Sequence, residues 1–346
     1  MQILSGGHSD FFGLDMGISA IRVVQLRGGG LTKSLDRYGQ APIAGTLALS
    51  DSKTDRQRVG QAVHDLIKQV GITSSSVAVN LPSNHVFTTV IDIDKMPTEE
   101  LNKTIRYQAD SYIPTPVAKS KIDWAVIGES PKDPKKVELL LSSAANDFVE
   151  ARLEILQGIG LNVLAFEPDS MALVRAVVSP TATLPQMVLD IGSAATDLVI
   201  SIGGVPHLTR SIPVGVQAIT RAAIQNLGIQ PAQAEQFVFK FGLVKDKLEG
   251  QVYNAIIGVV ESLVAEIDKS IKFFASRYPS AKLERIIVTG GASVLPEFPL
   301  YLANKFAINV EIGNAWRNVS FPANRQNELM AVSNHFAVAV GLAERD

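Results

Sequence analysis

Two segments of the chain resemble each other, and this internal repeat constrains the fold more than any other feature of the sequence. The first segment begins Phe12-Gly-Leu-Asp15-Met-Gly17, and the second begins Met187-Val-Leu-Asp190-Ile-Gly192. After each aspartate, glycines recur at the same three offsets, ending in the pairs Gly28-Gly29 and Gly203-Gly204. Each segment predicts an apolar strand, a tight turn, an alternating strand and a glycine turn. We therefore expect a duplicated lobe with one such hairpin per half, while a chance likeness of two hairpins stays open.

Helical periodicity follows each repeat. Val59, Val63, Leu66 and Val70 are spaced as one face of a helix, and Gly71 is expected to end it. A longer apolar stripe of the same period runs from Ile256 to Phe274. Since strands alternate with helices along the chain, the sequence predicts the α/β class.

The segment 81–160 has its own order of elements, which predicts a small α/β subdomain inserted into the first lobe. Strands are expected at 86–93, 122–127 and 137–141, and helices at 99–112 and 146–158. Asp92 and Asp94 fall on one face of the first of these strands, and we expect both to be solvated. The first lobe is then 1–80 and 161–182, with a C-terminal helix at 328–343 returning to it, and the second lobe is 183–327.

Composition excludes several kinds of site. None of the 346 residues is cysteine, which excludes disulfides, zinc–thiolate sites and iron–sulfur clusters. The balance of 32 basic and 34 acidic side chains argues against a nucleic-acid partner. No stretch approaches the ~20 apolar residues that span a bilayer, so we expect a soluble, cytoplasmic protein.

The aspartates followed by glycine are the candidate residues for a phosphate- and metal-binding site. A glycine two residues after a strand-terminal aspartate, as in Asp15-Met-Gly17, lets backbone N–H groups approach an anion. The aspartate itself suits Mg²⁺, which prefers carboxylate, water and phosphate oxygens. A third segment, Ile286-Ile-Val-Thr-Gly290-Gly291-Ala292, runs a strand into bare backbone that can lie against a purine. Taken alone, each of these segments is more simply a turn.

In this order the three segments resemble the phosphate-1, phosphate-2 and adenosine motifs of the actin-like ATPase superfamily. Within it, the chain most resembles the PilM family of type IV pilus assembly. That likeness rests on Ile105-Arg-Tyr-Gln-Ala-Asp-Ser-Tyr-Ile-Pro114, on Leu139–Ala145 followed by a helix, and on Phe166-Glu167-Pro168. The matches cover about Phe11 to Gly341.

The resemblance implies a two-lobed actin-like ATPase fold with duplicated β-sheet cores and an inserted subdomain of the FtsA and PilM type. It implies ATP and Mg²⁺ as cofactors, with Asp15 and Asp190 as metal ligands. Phosphate contacts would come from Asp15, Gly17, Ser19, Arg22, Gly192, Thr196 and Asp197. The adenosine would meet Gly290, Gly291 and Ala292, with Glu235 near the ribose. Glu167 would help to place the attacking water, so Glu167 and Asp190 are the catalytic candidates.

Three departures from the family pattern predict weak nucleotide binding or slow hydrolysis. Ile18 stands where a hydroxyl residue is usual, so Ser19 has to substitute for it. Arg22 stands where lysine is common and carries a bulkier, planar head. Val238 takes the place of a lysine near the ribose.

The resemblance further implies a scaffold that binds the cytoplasmic N-terminal tail of a PilN-like bitopic membrane protein and works with other pilus assembly proteins. Tyr112 and Ile113 are the candidates for the peptide groove. The protein would then be peripheral to the inner membrane through its partner alone. A filament-forming protein like FtsA or MreB, a metabolite kinase of the same superfamily, and self-association all stay open.

Overall fold

The computed structural model describes residues 10–29, 32–48, 50 and 52–345. Their strands are β1 (Phe11–Met16), β2 (Ala20–Arg27), β3 (Lys33–Pro42), β4 (Ser76–Leu81), β5 (Val86–Asp94), β6 (Ser120–Glu129), β7 (Lys136–Ala145), β8 (Asn162–Pro168), β9 (Gln186–Ile191), β10 (Thr196–Ile202), β11 (Val205–Ile212), β12 (Arg285–Thr289), β13 (Asn309–Ile312) and β14 (Val319–Ser320). Their helices are α1 (Gly45–Ala48), α2 (Lys53–Val70), α3 (Thr98–Gln108), α4 (Asn146–Gly158), α5 (Asp169–Val177), α6 (Val216–Leu227), α7 (Pro231–Phe241), α8 (Gln251–Arg277), α9 (Phe298–Phe306), α10 (Gln326–Val332) and α11 (Ala337–Ala343).

The chain divides into two compact units. The first unit contains the described residues up to Pro82, then Glu150–Ala176, then the residues from Asn314 onwards. The second unit contains Ser83–Val149 and Val177–Gly313. Most of the predicted inserted subdomain therefore packs with the second unit, although the chain enters and leaves it from the first.

A six-stranded sheet of order β14-β3-β2-β1-β4-β8 forms the centre of the first unit. One face packs on α2 and α4 through buried residues that include Leu14, Val63 and Leu156. The other face receives α11 so closely that a Cβ on Gly13 would lie 2.3 Å from the Ala339 carbonyl oxygen. Only glycine permits that approach of helix backbone to strand backbone.

The second unit repeats this arrangement in a five-stranded sheet of order β11-β10-β9-β12-β13. In both sheets an antiparallel hairpin pairs its first strand with a later parallel strand, β4 beside β1 and β12 beside β9. Gly203 and Gly204 close the β10–β11 hairpin with φ values of 59° and 76°, as a two-residue turn with left-handed backbone requires. The predicted duplication is confirmed.

A separate three-stranded sheet of order β5-β7-β6 belongs to the inserted subdomain. It packs against α3 around Ile91, Leu101 and Leu141, with Trp124 partly buried beside them. All three predicted strands are present. The predicted helix at 99–112 is shorter, since α3 ends at Gln108 and a 3-10 turn follows.

The helical stripes form as predicted. Helix α2 is capped by the Ser52 side chain and ends at Gly71, whose φ is 79°. Helix α8 buries one face along its length, from Val252 to Phe274. The predicted C-terminal helix at 328–343 is wrong in one respect, because α10 and α11 are separate helices. The Ser333 hydroxyl between them accepts the Ala315 N–H, and this hydrogen bond holds the chain in a 3-10 turn.

Candidate functional site

The first aspartate turn joins β1 to β2. The Gly17 N–H donates to the Ala20 carbonyl oxygen over 3.1 Å, which leaves Ile18 and Ser19 at the tip. A Cβ on Gly17 would lie 2.9 Å from that oxygen, so the turn needs glycine. Ser19 is exposed and its side chain is accessible to a ligand. The residues predicted to contact phosphate here therefore do lie in one tight turn.

Asp15 forms an ion pair with Arg22 across the same hairpin. The two residues are register partners, and Arg22 Nη1 lies 3.2 Å from Asp15 Oδ2. Burial raises the pKa of Asp15, and the guanidinium groups of Arg22 and Arg152 act against that rise. The predicted metal ligand and the predicted phosphate contact thus neutralise each other in the absence of a ligand.

Three polar residues that the sequence reasoning missed surround Asp15. The Asn80 side chain accepts the Met16 N–H over 2.8 Å and donates to Asp169 Oδ1 over 3.1 Å. Arg152 is partly buried near Asp169 and Asp15, and desolvation lowers its pKa to about 10. A polar residue near the end of an apolar strand was the available signal for Asn80. Nothing in the sequence places Arg152 there.

The second aspartate turn joins β9 to β10 and repeats the first in its backbone. The Gly192 N–H donates to the Ala195 carbonyl oxygen over 2.9 Å. The carbonyl oxygens of Gly192 and Ser193 accept the N–H groups of Val216 and Gln217, at the start of α6. The turn is therefore fixed on a helix N-terminus, a position that favours nearby negative charge.

Asp190 and Asp197 are register partners, so their side chains share one face of the sheet with Thr289. Burial raises the pKa of Asp197, and the hydroxyls of Ser211 and Ser83 oppose the rise. Thr196 is fully buried, and its hydroxyl donates to the Val214 carbonyl oxygen over 2.7 Å. Its predicted phosphate contact would have to compete with that bond.

The adenosine-like segment follows β12 as a glycine turn and a short 3-10 helix, Gly291–Val294. Gly290 has a φ of 81°, and a Cβ on it would lie 2.4 Å from Asp190 Oδ1. This segment and the second aspartate turn therefore meet at Gly290. Gly290 and Ala292 are both buried, which leaves the partly exposed backbone of Gly291 as the part that can face a base.

The ribose candidates lie on α7. Glu235 is exposed, and Val238 is fully buried in the core of the second unit. The missing lysine is thus replaced by a core residue. Lys240 is also exposed, with its Nζ 5.4 Å from the Phe241 ring centroid.

Glu167, predicted to place a water, is buried between two arginines. Arg175 Nη2 lies 2.7 Å from Oε1, and Arg345 Nη1 lies 2.7 Å from Oε2. Both carboxylate oxygens are engaged by cations of the first unit. These two ion pairs hold the Glu167 carboxylate in place within the first unit.

The peptide candidates differ in exposure. Ile113 is 7% exposed and packs in the core of the inserted subdomain, while Tyr112 is partly buried against it. A side chain packed in that core has little surface to offer a partner. Tyr107, on α3, is 88% exposed and was not singled out from the sequence.

Each turn offers a donor set suited to one part of a nucleotide–metal complex. Backbone N–H groups and Arg22 suit phosphate oxygens, and the Asp190–Asp197 pair suits a hard cation. The described residues hold no group of three or more acidic, histidine or cysteine side chains placed to bind a metal by themselves.

Comparison with known proteins decides the family. The family model described as type IV pilus assembly protein PilM matches residues 13–346. The chain belongs to the PilM family. In a solved structure described as a PilM–PilN type IV pilus biogenesis complex, one chain is 25% identical to this PilM-family protein, with a TM-score of 0.82. The match covers 96% of this chain and 97% of that one.

More distant structures share the fold. The ethanolamine utilization protein EutJ from Carboxydothermus hydrogenoformans is 14% identical, with a TM-score of 0.55 over 96% of this chain and 88% of its own. MreB5 of Spiroplasma citri, solved with ADP, has the same identity and TM-score over 96% of this chain and 94% of its own. The PilM-family chain therefore has the actin-like ATPase fold that the sequence predicted. Among its described residues, no helix is both long and apolar enough to cross a membrane.

Proposed function

We propose that this PilM-family protein is an ATP-binding scaffold of type IV pilus assembly that binds the N-terminal cytoplasmic tail of a PilN-like bitopic membrane protein. The observation that carries this proposal is the likeness to the PilM–PilN complex, which extends over nearly the whole of both chains. That partner would hold the protein at the cytoplasmic face of the inner membrane. Contacts with further pilus assembly proteins belong to the same proposal.

We propose ATP and Mg²⁺ as the ligands of the aspartate turns. Gly17 and Gly192 close the two turns without a side chain, Ser19 is exposed at the tip of the first turn, and Arg22 supplies positive charge there. Asp190 and Asp197 supply carboxylate oxygens at the second. When bound, Mg²⁺ would neutralise phosphate charge. Arg22 would exchange its partner Asp15 for phosphate, and Asp15 would become available to water or the metal.

The state of Glu167 favours binding over rapid turnover. A carboxylate that is buried and ion-paired with both Arg175 and Arg345 is not free to turn towards a water molecule. In this proposal the protein therefore holds its nucleotide as a structural ligand and hydrolyses it slowly at most.

The decisive experiment is a titration with the N-terminal tail of the PilN-like partner. Binding is measured by isothermal titration calorimetry, with and without ATP–Mg²⁺. Saturable binding of the tail, and none of a scrambled peptide, supports the scaffold. Tyr112→Ala should weaken tail binding if Tyr112 lines the groove, and Tyr107→Ala is the matched control on an exposed tyrosine nearby. Unchanged affinity for both variants removes Tyr112 from the site.

A second test concerns the nucleotide. Asp190→Ala should weaken Mg²⁺–ATP binding at least tenfold while the far-UV spectrum and the melting temperature stay unchanged, because it removes one carboxylate from the second turn. The control is Asp246→Ala, at an exposed aspartate outside both turns. Undiminished affinity in Asp190→Ala contradicts the proposed phosphate and metal site.

The alternative functions have their own outcomes. Robust turnover with a sugar would identify a metabolite kinase, and ATP-dependent sedimentation of polymers would identify a filament protein. The likeness to MreB5 at 14% identity is a likeness of fold and favours neither.

A further inference from the structure

We propose that the inserted subdomain is a sensor of the second aspartate turn, coupled to it through a buried arginine clasp and through strand β11. The clasp consists of Arg277 and Tyr278 from the end of α8 together with Asp92 and Glu138 of the inserted sheet. The inference rests on the proposed function for the identity of the ligand. The coupling itself is argued from contacts within the second unit.

Arg277 joins the core of the second unit to the inserted sheet. Its Nη2 atom lies 3.1 Å from Asp92 Oδ2 and 2.7 Å from Glu138 Oε1, and its Nε donates to the same Glu138 oxygen over 3.0 Å. Asp92 and Glu138 are register partners on β5 and β7. Like charges placed opposite each other in a sheet repel, so the arginine is what permits this acid pair.

The ion pairs of the clasp are more buried than the other ion pairs of the inserted sheet. Glu138 is 2% exposed, and the Tyr278 hydroxyl donates to its Oε1 over 2.9 Å. The ion pairs that the inserted sheet forms within itself, Lys95 with Glu129 and Lys136 with Asp94, are largely exposed. An exposed pair contributes little, whereas removing one partner of a buried pair leaves a charge without compensation.

The other end of the clasp is anchored in the core around the second sheet. Tyr278 is 6% exposed, lies 4.9 Å from Phe274 between ring centroids, and packs edge-on against His207 at 5.5 Å. Phe274 belongs to the buried stripe of α8, and His207 lies on β11. A displacement of α8 or β11 therefore moves the tyrosine and the arginine beside it.

Strand β11 joins the clasp to the aspartate turn itself. It carries His207, which packs against Tyr278, and Ser211, which pairs in register with Asp197. The 3-10 turn that begins at Ser83 and leads into β5 also packs against β11. A ligand that moves Asp197 would therefore displace β11 and the clasp packed against it.

The first experiment needs no ligand and uses hydrogen–deuterium exchange of the full chain. Arg277→Met should accelerate exchange in β5 and β7 at least tenfold and leave β9, β10 and β12 unchanged. Lys272→Met is the matched control, because this lysine lies on the same helix in an exposed pair with Asp268. Unchanged exchange in β5 and β7, or an equal acceleration across the whole chain, overturns the clasp.

Tyr278→Phe provides a milder variant in case Arg277→Met does not fold. It removes only the hydroxyl bonded to Glu138 and keeps the ring in the core. We expect a smaller acceleration, about threefold, confined to the same two strands. No local change in this variant also contradicts the proposal.

The second experiment adds ATP–Mg²⁺. In the unaltered protein, the nucleotide should slow exchange in β5, while Tyr278→Phe should reduce that response and Arg277→Met should abolish it, with nucleotide affinity retained in both variants. A full response in both variants overturns the coupling. If the unaltered protein binds no nucleotide, the proposed function fails, and the ligand-free exchange still decides whether the clasp exists.

Discussion

The two aspartate turns have the same backbone and opposite electrostatics. In both, a glycine two residues after the aspartate donates to an alanine carbonyl oxygen and closes a two-residue tip. Across the hairpin, Asp15 meets Arg22, whereas Asp190 meets Asp197. The first turn therefore pairs its aspartate with a base, and the second places its aspartate opposite another acid. The two copies share a backbone and differ in the charge that faces the aspartate.

The strands beside the two hairpins differ in the same way. In the first unit, β4 brings the Asn80 side chain, which satisfies the Met16 N–H directly. In the second unit, Gly290 follows β12, and its bare backbone lies against Asp190. The first turn is thus held by a side chain, and the second packs against backbone that carries none. Four tests by substitution probe this contrast, from the largest expected effect to the smallest.

Gly290→Ala should have the largest effect. The added methyl would meet Asp190 Oδ1 and the Ile191 carbonyl oxygen in a backbone with φ of 81°, so we expect a loss of about 3–4 kcal/mol in the free energy of unfolding. Urea denaturation measures it. The control is Gly203→Ala, also left-handed but with no neighbour within 4 Å, which should cost about 1 kcal/mol. Equal losses would show that the close approach at Gly290 is unimportant.

Asp15→Asn should destabilise the first unit by about 2–3 kcal/mol, because Arg22 and Arg152 lose a buried carboxylate partner. Combining it with Arg22→Met should recover part of the loss, since the double variant no longer leaves that arginine uncompensated. A double-mutant cycle from urea denaturation gives the coupling. Strict additivity would mean that the Asp15–Arg22 pair is not coupled, and the contrast between the turns would fail.

The hydroxyls of the two turns should also behave differently. Thr196→Val leaves the buried Val214 carbonyl oxygen without a donor, and we expect a loss of about 1.5 kcal/mol in unfolding free energy. Ser19→Ala, at an exposed tip, should change stability by less than about 0.5 kcal/mol. ATP affinity should respond in the opposite order, falling more for Ser19→Ala. Larger destabilisation by the serine variant would reverse the assignment.

Asp197→Asn should stabilise the protein at pH 7 by about 1 kcal/mol, because it removes a buried charge that lacks a cation. The folded-state pKa of Asp197 lies above its unfolded value. Its favourable contribution is therefore complete below the unfolded pKa and is lost as the pH rises through the folded pKa. The gain in the variant should accordingly shrink towards zero at acid pH. Melting curves between pH 4 and pH 8 follow it, and a gain that is constant with pH would refute the burial argument.

The order of elements was predictable because it depends on local pattern. Alternating apolar residues placed the strands of both hairpins, and Gly71 and the Gly203-Gly204 pair marked a helix end and a hairpin turn by their left-handed backbone. The break between α10 and α11 was not predictable in this way. It depends on the Ser333 hydroxyl meeting the Ala315 N–H, and these residues are far apart in the helical pattern.

The same distinction between local pattern and tertiary packing applies to the candidate site. The sequence located the turns and the Gly290 segment, since short glycine motifs report backbone geometry directly. It could not place Arg152 beside Asp15 or pair Glu167 with Arg345, because side chains far apart in sequence are brought together only by packing. Asp92 was expected to be solvated, and that prediction is wrong, since it forms an ion pair with Arg277 from a helix more than a hundred residues away.

By itself, then, the sequence determined a duplicated α/β chain of the PilM family with an aspartate–glycine turn in each half. These features follow from the periodicity of apolar residues and from glycines that a local backbone conformation requires. The tertiary structure alone decided that one aspartate is neutralised and the other faces a second acid, and that the inserted sheet is fastened to the second unit. Those outcomes depend on which distant charges burial brings together, and burial is a property of the whole fold.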